Sequence, residues 1–126
     1  MQAKAPFSLR QRIRSFGYAI RGLRQFCRKE HNLWIHLGIA LIAFVLGLVL
    51  KISASQWIAV IVVTAMVLSA EAFNTCIETA MDHLRPELHP TVRYIKDLAA
   101  GAVLITAIAA ALTGLIIFVP KVLALF

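Results

Sequence analysis

Trp57-Ile-Ala-Val-Ile-Val-Val-Thr-Ala-Met-Val-Leu-Ser-Ala-Glu71-Ala-Phe-Asn74-Thr-Cys-Ile-Glu78-Thr-Ala-Met-Asp82 is the stretch whose reading decides the fold. Its first part, Trp57 to Ala70, carries no charge and is apolar almost throughout. Glu71, Asn74, Glu78 and Asp82 then follow at intervals of three, four and four residues. On an α-helix those offsets place all four polar groups on one face. A stripe of acid and amide therefore runs out of an apolar span. Ionisable groups within a membrane segment are costly and mark functional positions.

The rest of the chain supports the bilayer reading. Its 126 residues are 60% hydrophobic, and the mean hydropathy is +0.81. That composition is too apolar for a soluble domain of this size. Long apolar runs extend from Leu33 to Leu50, from Trp57 to about Phe73 and from Ala99 to Val119. Each approaches the ~20 residues a helix needs to cross ~30 Å of hydrocarbon. The expected fold is all-α and integral to the membrane, a single domain over residues 1–126 with membrane helices at about 33–50, 57–81 and 97–119.

The segment ahead of the first run has a different pattern. Leu9, Ile13, Phe16, Ile20, Leu23 and Cys27 recur at spacings of four and three, while Arg10, Arg12, Arg14, Arg21, Arg24 and Arg28 fill the other faces. This predicts a basic amphipathic helix over about 8–31, lying flat in the headgroup layer with its arginines toward anionic lipid headgroups. A soluble helix on a protein partner is the alternative, and no soluble domain is present to receive it. A signal peptide does not fit, because the first apolar run starts only at residue 33 and no small-residue cleavage pattern follows it.

Charge sets the expected orientation. Residues 1–31 hold eight of the thirteen Lys and Arg, the connection 51–56 holds one, 82–98 holds three, and Lys121 is the last. The positive-inside rule then puts the N-terminus and the second connection in the cytoplasm, with the short first loop and the C-terminus outside. The net charge of +7 reads as lipid anchoring and topology. Nucleic acid is a poor partner for it, because the basic groups flank a membrane span without an interleaved aromatic platform.

If Trp57 marks the outer interface, a rise of 1.5 Å per residue puts Glu71 roughly 21 Å into the membrane and Glu78 roughly 31 Å in, near the inner boundary. The stripe would emerge where nucleotides are found. Glu30 ends the amphipathic helix at that level, and Lys96-Asp97 stand at the entry to the third span, after the connection containing Pro86 and Pro90. Carboxylates, an amide and a lysine can thus meet at one membrane surface. Mg2+ prefers oxygen ligands and keeps phosphates and waters in its shell, so Glu30 and Glu78 suffice as protein ligands if ATP supplies the rest. Lys96 would neutralise phosphate charge. Glu71, the deepest acid, would take the proton of a lipid hydroxyl as general base. Phosphoryl transfer asks mainly for positioning and charge neutralisation. No GxxxxGK[ST] motif and no kinase HRD or DFG signature is present, which excludes a soluble-type ATP fold.

Glu71-Ala-Phe-Asn74-Thr-Cys-Ile-Glu78, with Asp82, His89 and Lys96-Asp97-Leu-Ala-Ala-Gly-Ala-Val-Leu104, resembles the signature of the small prokaryotic diacylglycerol kinase and undecaprenol kinase family. Phe16-Gly17-Tyr18, Gly22-Leu23 and Glu30-His-Asn32-Leu-Trp-Ile-His36 resemble its N-terminal pattern. The likeness covers about residues 8 to 120. It implies a homotrimer, each chain with a surface helix and three transmembrane helices, and active sites shared between neighbouring protomers at the cytoplasmic interface. Carried over by residue, Glu71 would be the proton acceptor, with Asn74 supporting the catalytic site. Glu30 and Glu78 would be the magnesium ligands. Tyr18, Glu30, Glu78, Glu87, Leu88, His89, Lys96 and Asp97 would contact ATP, and Asp82 would help fix that nucleotide site. Lipid contacts would come from Ser15, Phe16, Gly17, Ala19, Ile20 and Arg24 on the surface helix and from Asn32, Ile35, His36 and Glu71. A trimer also has an independent motive, since three helices alone do not easily shield Glu71 and Asn74 from lipid. Small residues in Ala99 to Ala111, with Gly101 and Gly114, would permit close helix packing.

The departures bear on the acceptor. Diacylglycerol kinases of the Gram-negative type carry Gln-Glu where this chain has Ile35-His36, and Gly-Ser where it has Ala99-Ala100; Gln11 stands where they have an arginine. The wording is nearer the undecaprenol kinase branch. The expected activity is therefore an ATP-dependent lipid kinase, with undecaprenol favoured over diacylglycerol as acceptor.

Each of these residues also has a plainer role open to it. Taken alone, Asp82 and Glu87 are ordinary solvated charges near a helix end. His31 and His36 read as interfacial or packing residues, and no His/Cys metal spacing is present. Cys27 and Cys76 read as small buried hydrophobes, Trp34 and Trp57 as interface anchors, and Asn74 as a hydrogen-bonding link between helices. Two other function classes use similar parts. A small proton-coupled transporter would place its essential acid near mid-membrane, whereas these acids cluster toward the cytoplasmic edge with Lys96 and Asp97. A non-enzymatic assembly subunit would tolerate loss of every acid in the stripe.

Overall fold

The computed structural model describes residues 7–85, 87 and 89–126. Four helices follow one another: α1 (Leu9–Lys29), α2 (His31–Val49), α3 (Ala54–Leu84) and α4 (Pro90–Leu123). They fall into two compact units, residues 1–30 and residues 31–126.

The first unit is α1. Ser8 caps it, its hydroxyl accepting from the Gln11 amide, which satisfies one of the donors left open at a helix start. Arg28 and Lys29 occupy the last turn, where the carbonyl end of the helix dipole favours cations. Glu30 leaves the helix in an extended conformation, its own amide still bonded to the Phe26 carbonyl at 3.1 Å.

In the second unit α3 packs most extensively on α4, and α2 lies chiefly against α3. All three of these helices are long and apolar enough to cross a membrane. Their outward residues are apolar as well: Ile39, Leu41, Leu48, Ile58, Ile105 and Ile116 are all well exposed. A soluble bundle would present polar side chains there, whereas hydrocarbon accepts isoleucine and leucine and demands only that backbone groups be satisfied internally. Polar side chains are satisfied internally too: Thr106 and Thr113 donate their hydroxyls to the Val103 and Ala109 carbonyls, each at 2.8 Å.

The turn between α2 and α3 is closed by local hydrogen bonds. The Ile52 amide bonds the Gly47 carbonyl at 3.1 Å and the Lys51 amide bonds the Leu48 carbonyl at 3.4 Å. Lys51 has φ of +50°. This is a left-handed helix terminator, closed by paired amide–carbonyl bonds, with a lysine in the place glycine usually holds. Immediately afterwards Ser53 and Gln56 cap α3 reciprocally: Ser53 Oγ accepts from the Gln56 amide at 3.3 Å, and Gln56 Oε1 accepts from the Ser53 amide at 3.0 Å. The S-x-x-Q pattern starts α3 at Ala54, ahead of the apolar run at Trp57.

Beneath this turn Ile52, Val60 and Ile117 form a buried cluster with Ala43, Leu50, Trp57 and Phe118 packed on it. Trp57 is half-buried here. Its ring lies 5.2 Å from that of Phe44, and a Cβ on Gly47 would stand only 2.7 Å from its edge. Packing inside the hairpin therefore accounts for Trp57 at least as directly as interface anchoring. The close helix approach falls at Gly47. At Gly101 and Gly114 a Cβ would meet nothing within 4 Å in the same chain. Cys76 is exposed, not the buried hydrophobe its type suggested, because it faces outward from α3 where a thiol is compatible with hydrocarbon.

Candidate functional site

The α3 helix carries the whole polar stripe, and each level of it has a partner. Glu71 is the deepest and is 4% exposed. Its Oε1 accepts from Asn32 Nδ2 and lies 3.0 Å from His36 Nε2. Asn32 and His36 are four residues apart on α2, so they share a face. An isolated carboxylate removed from water would be strongly disfavoured. Asn32 donates to Glu71, and the His36 imidazole does so as well in the tautomer with its proton on Nε2, which makes the burial tolerable.

One turn on, Asn74 Nδ2 donates to Glu78 Oε1 at 3.3 Å. Asn74 Oδ1 is buried and takes no hydrogen bond among the described residues. Buried acceptors are ordinarily satisfied. Here an amide oxygen without a donor sits beside a carboxylate, a pair of hard oxygen atoms whose chemistry fits Mg2+. No group of three His, Cys, Asp or Glu side chains converges among the described residues. An oxygen pair of this kind would leave most of a cation's shell to phosphates and water.

At the shallow end Lys96 Nζ donates to Asp82 Oδ1 at 2.9 Å, linking the end of α3 to the start of α4. The aspartate side chain is 63% exposed and the lysine 33%. Such a pair contributes little to stability, but it holds a cation beside an anion where α3 ends and α4 begins. Asp97 follows on the same helix and is exposed.

The α4 helix begins seven residues ahead of the expected 97. Pro90 takes its first turn, where the missing N–H costs nothing, and His89 is the cap, its Nδ1 accepting from the Thr91 amide at 3.2 Å. His89 therefore has a structural bond of its own. Glu87 is exposed. Leu88 lies outside the described residues. Ile35 is 60% exposed on α2, one residue before His36.

The remaining candidates, Tyr18, Glu30, Ser15, Phe16, Gly17, Ala19, Ile20 and Arg24, belong to the α1 unit. Within it Arg21 lies over the Tyr18 ring at 5.8 Å, and the Ser15 hydroxyl donates to the Gln11 carbonyl at 3.0 Å.

An apolar cavity of about 320 Å3 opens between α2, α3 and α4. His36 stands in its wall, with Ala40, Val67, Ala107, Gly114 and Phe118 among the other lining residues. The small residues of α4 thus leave space within the chain. The pairing of Asn32 and His36 with Glu71 was not foreseen from the sequence. Its signal was present as N-x-x-x-H on an apolar helix, two polar groups on one face that need a buried partner.

Residues 17–118 match the prokaryotic diacylglycerol kinase family. The chain belongs to that family. It is a lipid kinase and a multi-pass membrane protein. It is 33% identical over 109 residues to the undecaprenol kinase of Bacillus subtilis (strain 168), covering 86% of this chain and 89% of that one. It is 35% identical over 112 residues to a diacylglycerol kinase of Synechocystis sp., 88% of this chain and 64% of that longer protein. The diacylglycerol kinase of Escherichia coli (strain K12) is 30% identical over 105 residues, 83% of this chain and 86% of the other.

Proposed function

We propose that this kinase transfers the γ-phosphoryl group of Mg-ATP to the hydroxyl of a membrane lipid, with undecaprenol favoured as acceptor. The observation that carries the reading is Glu71: a buried carboxylate at the hydrocarbon end of the stripe, held through one oxygen from α2, about 10 Å along the helix from Glu78. In the transfer the lipid oxygen attacks the γ-phosphorus, the bond to the bridging oxygen breaks, and the hydroxyl proton passes to Glu71. Asn74 supports the site by orienting Glu78. Glu30 and Glu78 would hold Mg2+, with Asn74 Oδ1 available beside Glu78. Bound there, the ion would neutralise phosphate charge as the bridging bond breaks.

Lys96, Asp97, Glu87, Leu88, His89 and Tyr18 would contact the nucleotide, with Asp82 fixing Lys96. Ser15, Phe16, Gly17, Ala19, Ile20 and Arg24 would face lipid from an α1 lying in the headgroup layer against anionic headgroups, joined by Asn32, Ile35 and His36. A homotrimer would cover the apolar flanks and share sites between protomers. The N-terminus and the site would face the cytoplasm of a bacterial inner membrane, where ATP is available.

Two features favour undecaprenol. Ile35-His36 and Ala99-Ala100 differ from the diacylglycerol kinase wording, and the cavity beside His36 is almost wholly apolar, with few donors for the ester carbonyls of a diacylglycerol. The names of the Synechocystis and Escherichia coli relatives favour diacylglycerol as the second reading. Purified protein in mixed micelles, given γ-labelled ATP and each lipid in turn, tests both. Label in undecaprenol phosphate above that in phosphatidic acid is the expected result; label in neither lipid would end the kinase reading for these acceptors.

A further inference from the structure

Among the described residues Glu71 is bonded through one of its two oxygens. Asn32 Nδ2 and His36 Nε2 both converge on Oε1, and Oε2 takes no hydrogen bond among the described residues. With the carboxylate ionised, His36 Nε2 is the donor. The same imidazole also stands in the wall of the apolar cavity. One side chain therefore touches both the carboxylate and the space between the helices.

The terminal torsion of a glutamate is broad, so an untethered carboxylate presents either oxygen in many directions. Donors on Oε1 remove that freedom and fix where Oε2 points. A base must lie within about 2.6–3.2 Å of the proton it takes, and small losses of alignment slow a reaction sharply. We propose that His36 is a positioning residue for this reaction: it holds Glu71 Oε1 so that Oε2 meets the acceptor hydroxyl, and its ring forms the mouth of the cavity that receives the acceptor's apolar chain. The proposal rests on the kinase reading above. As the hydroxyl oxygen bonds to the γ-phosphorus, the bond from that phosphorus to the bridging oxygen breaks and ADP leaves with its electron pair. The hydroxyl proton goes to Glu71 Oε2, and His36 keeps its own proton throughout. Asn32 holds the same oxygen, but the cavity wall is formed by His36.

The test uses the full-length chain in mixed micelles with undecaprenol and Mg-ATP, comparing wild type, His36→Phe and His36→Gln. Phenylalanine keeps a ring in the cavity wall and deletes the donor; glutamine keeps an N–H donor and deletes the ring. His36→Phe is expected to lower kcat ~10- to 100-fold, the effect of one hydrogen bond to a charged group, with KM for ATP and lipid little changed. His36→Gln is expected to recover most of kcat while raising KM for the lipid. An unchanged kcat in His36→Phe, or a His36→Gln as slow as the phenylalanine variant, overturns the proposal. If His36→Phe does not assemble in the membrane, His36→Gln decides alone against wild type: a kcat close to wild type with a raised KM for the lipid supports the proposal, and a kcat lowered ~10-fold or more, or an unchanged lipid KM, overturns it. A wild type that labels no lipid removes the kinase reading and this inference with it; an active wild type with an unaffected His36→Phe removes only the inference.

Discussion

His36 Nε2 lies 3.0 Å from Glu71 Oε1, so the deepest acid of the third helix is tied to the second helix. Glu78 takes its bond from Asn74 on its own helix, and Asp82 takes its bond from Lys96 on α4. The stripe on α3 is therefore held at three levels by three different elements. The separation bears on function, because a change at one level need not disturb the others.

Glu71→Gln is expected to abolish lipid phosphorylation while leaving Mg-ATP affinity nearly intact, because the amide keeps the shape and removes the proposed base. Glu78→Gln is expected to weaken nucleotide binding. Equilibrium binding of a non-hydrolysable ATP analogue, beside turnover, separates the two. Equal loss of nucleotide binding in both variants would contradict the division of roles.

Asn74→Ala removes the buried Oδ1 and the donor to Glu78. If that oxygen belongs with a magnesium site, the variant needs a higher Mg2+ concentration for half-maximal activity, with a lower plateau. A titration of rate against free Mg2+ reads this directly. A lower plateau at an unmoved midpoint would leave Asn74 only the task of orienting Glu78.

Gly47→Ala and Gly101→Ala are expected to behave in opposite ways. A methyl at Gly47 would meet the Trp57 ring at 2.7 Å, and overpacking of that kind costs about 1–3 kcal/mol. At Gly101 the same methyl meets nothing within the chain, and helix propensity alone favours alanine by up to ~1 kcal/mol. Thermal unfolding in detergent should show Gly47→Ala melting lower and Gly101→Ala melting at or above wild type. A Gly101→Ala variant that keeps its helices but elutes as a smaller particle than wild type would mark that face as a contact between copies.

Asp82→Asn breaks the pair with Lys96. Because both side chains are partly exposed, the stability change should stay under ~1 kcal/mol. The larger effect is expected on KM for ATP, since a lysine without its carboxylate is no longer held at the start of α4. Measured KM unchanged together with a large drop in melting temperature would give this pair a structural role instead.

Much of this arrangement is legible in the sequence. Hydrophobic run length gives the three long apolar helices because a bilayer sets the length scale, and helical periodicity gives the stripe because offsets of three and four are neighbours on one face. The helix ends were less legible. The α3 helix starts at Ala54 through the Ser53–Gln56 cap and α4 at Pro90 through the His89 cap, and both caps lie outside the apolar runs that hydropathy detects. The pair holding Glu71 was less legible still. Asn32 and His36 are 39 and 35 residues away from it along the chain.

The sequence by itself determined the composition that demands a membrane, the face shared by Glu71, Asn74, Glu78 and Asp82, and the family motifs, because these depend on residue type and on spacing within one helix. Only the tertiary structure decided that Asn32 and His36 serve one oxygen of Glu71, that Lys96 rather than an arginine meets Asp82, and that Gly47 rather than Gly101 admits a close neighbour. Those outcomes depend on how α2 and α4 pack against α3, and periodicity within a single helix does not fix which of its faces meets another.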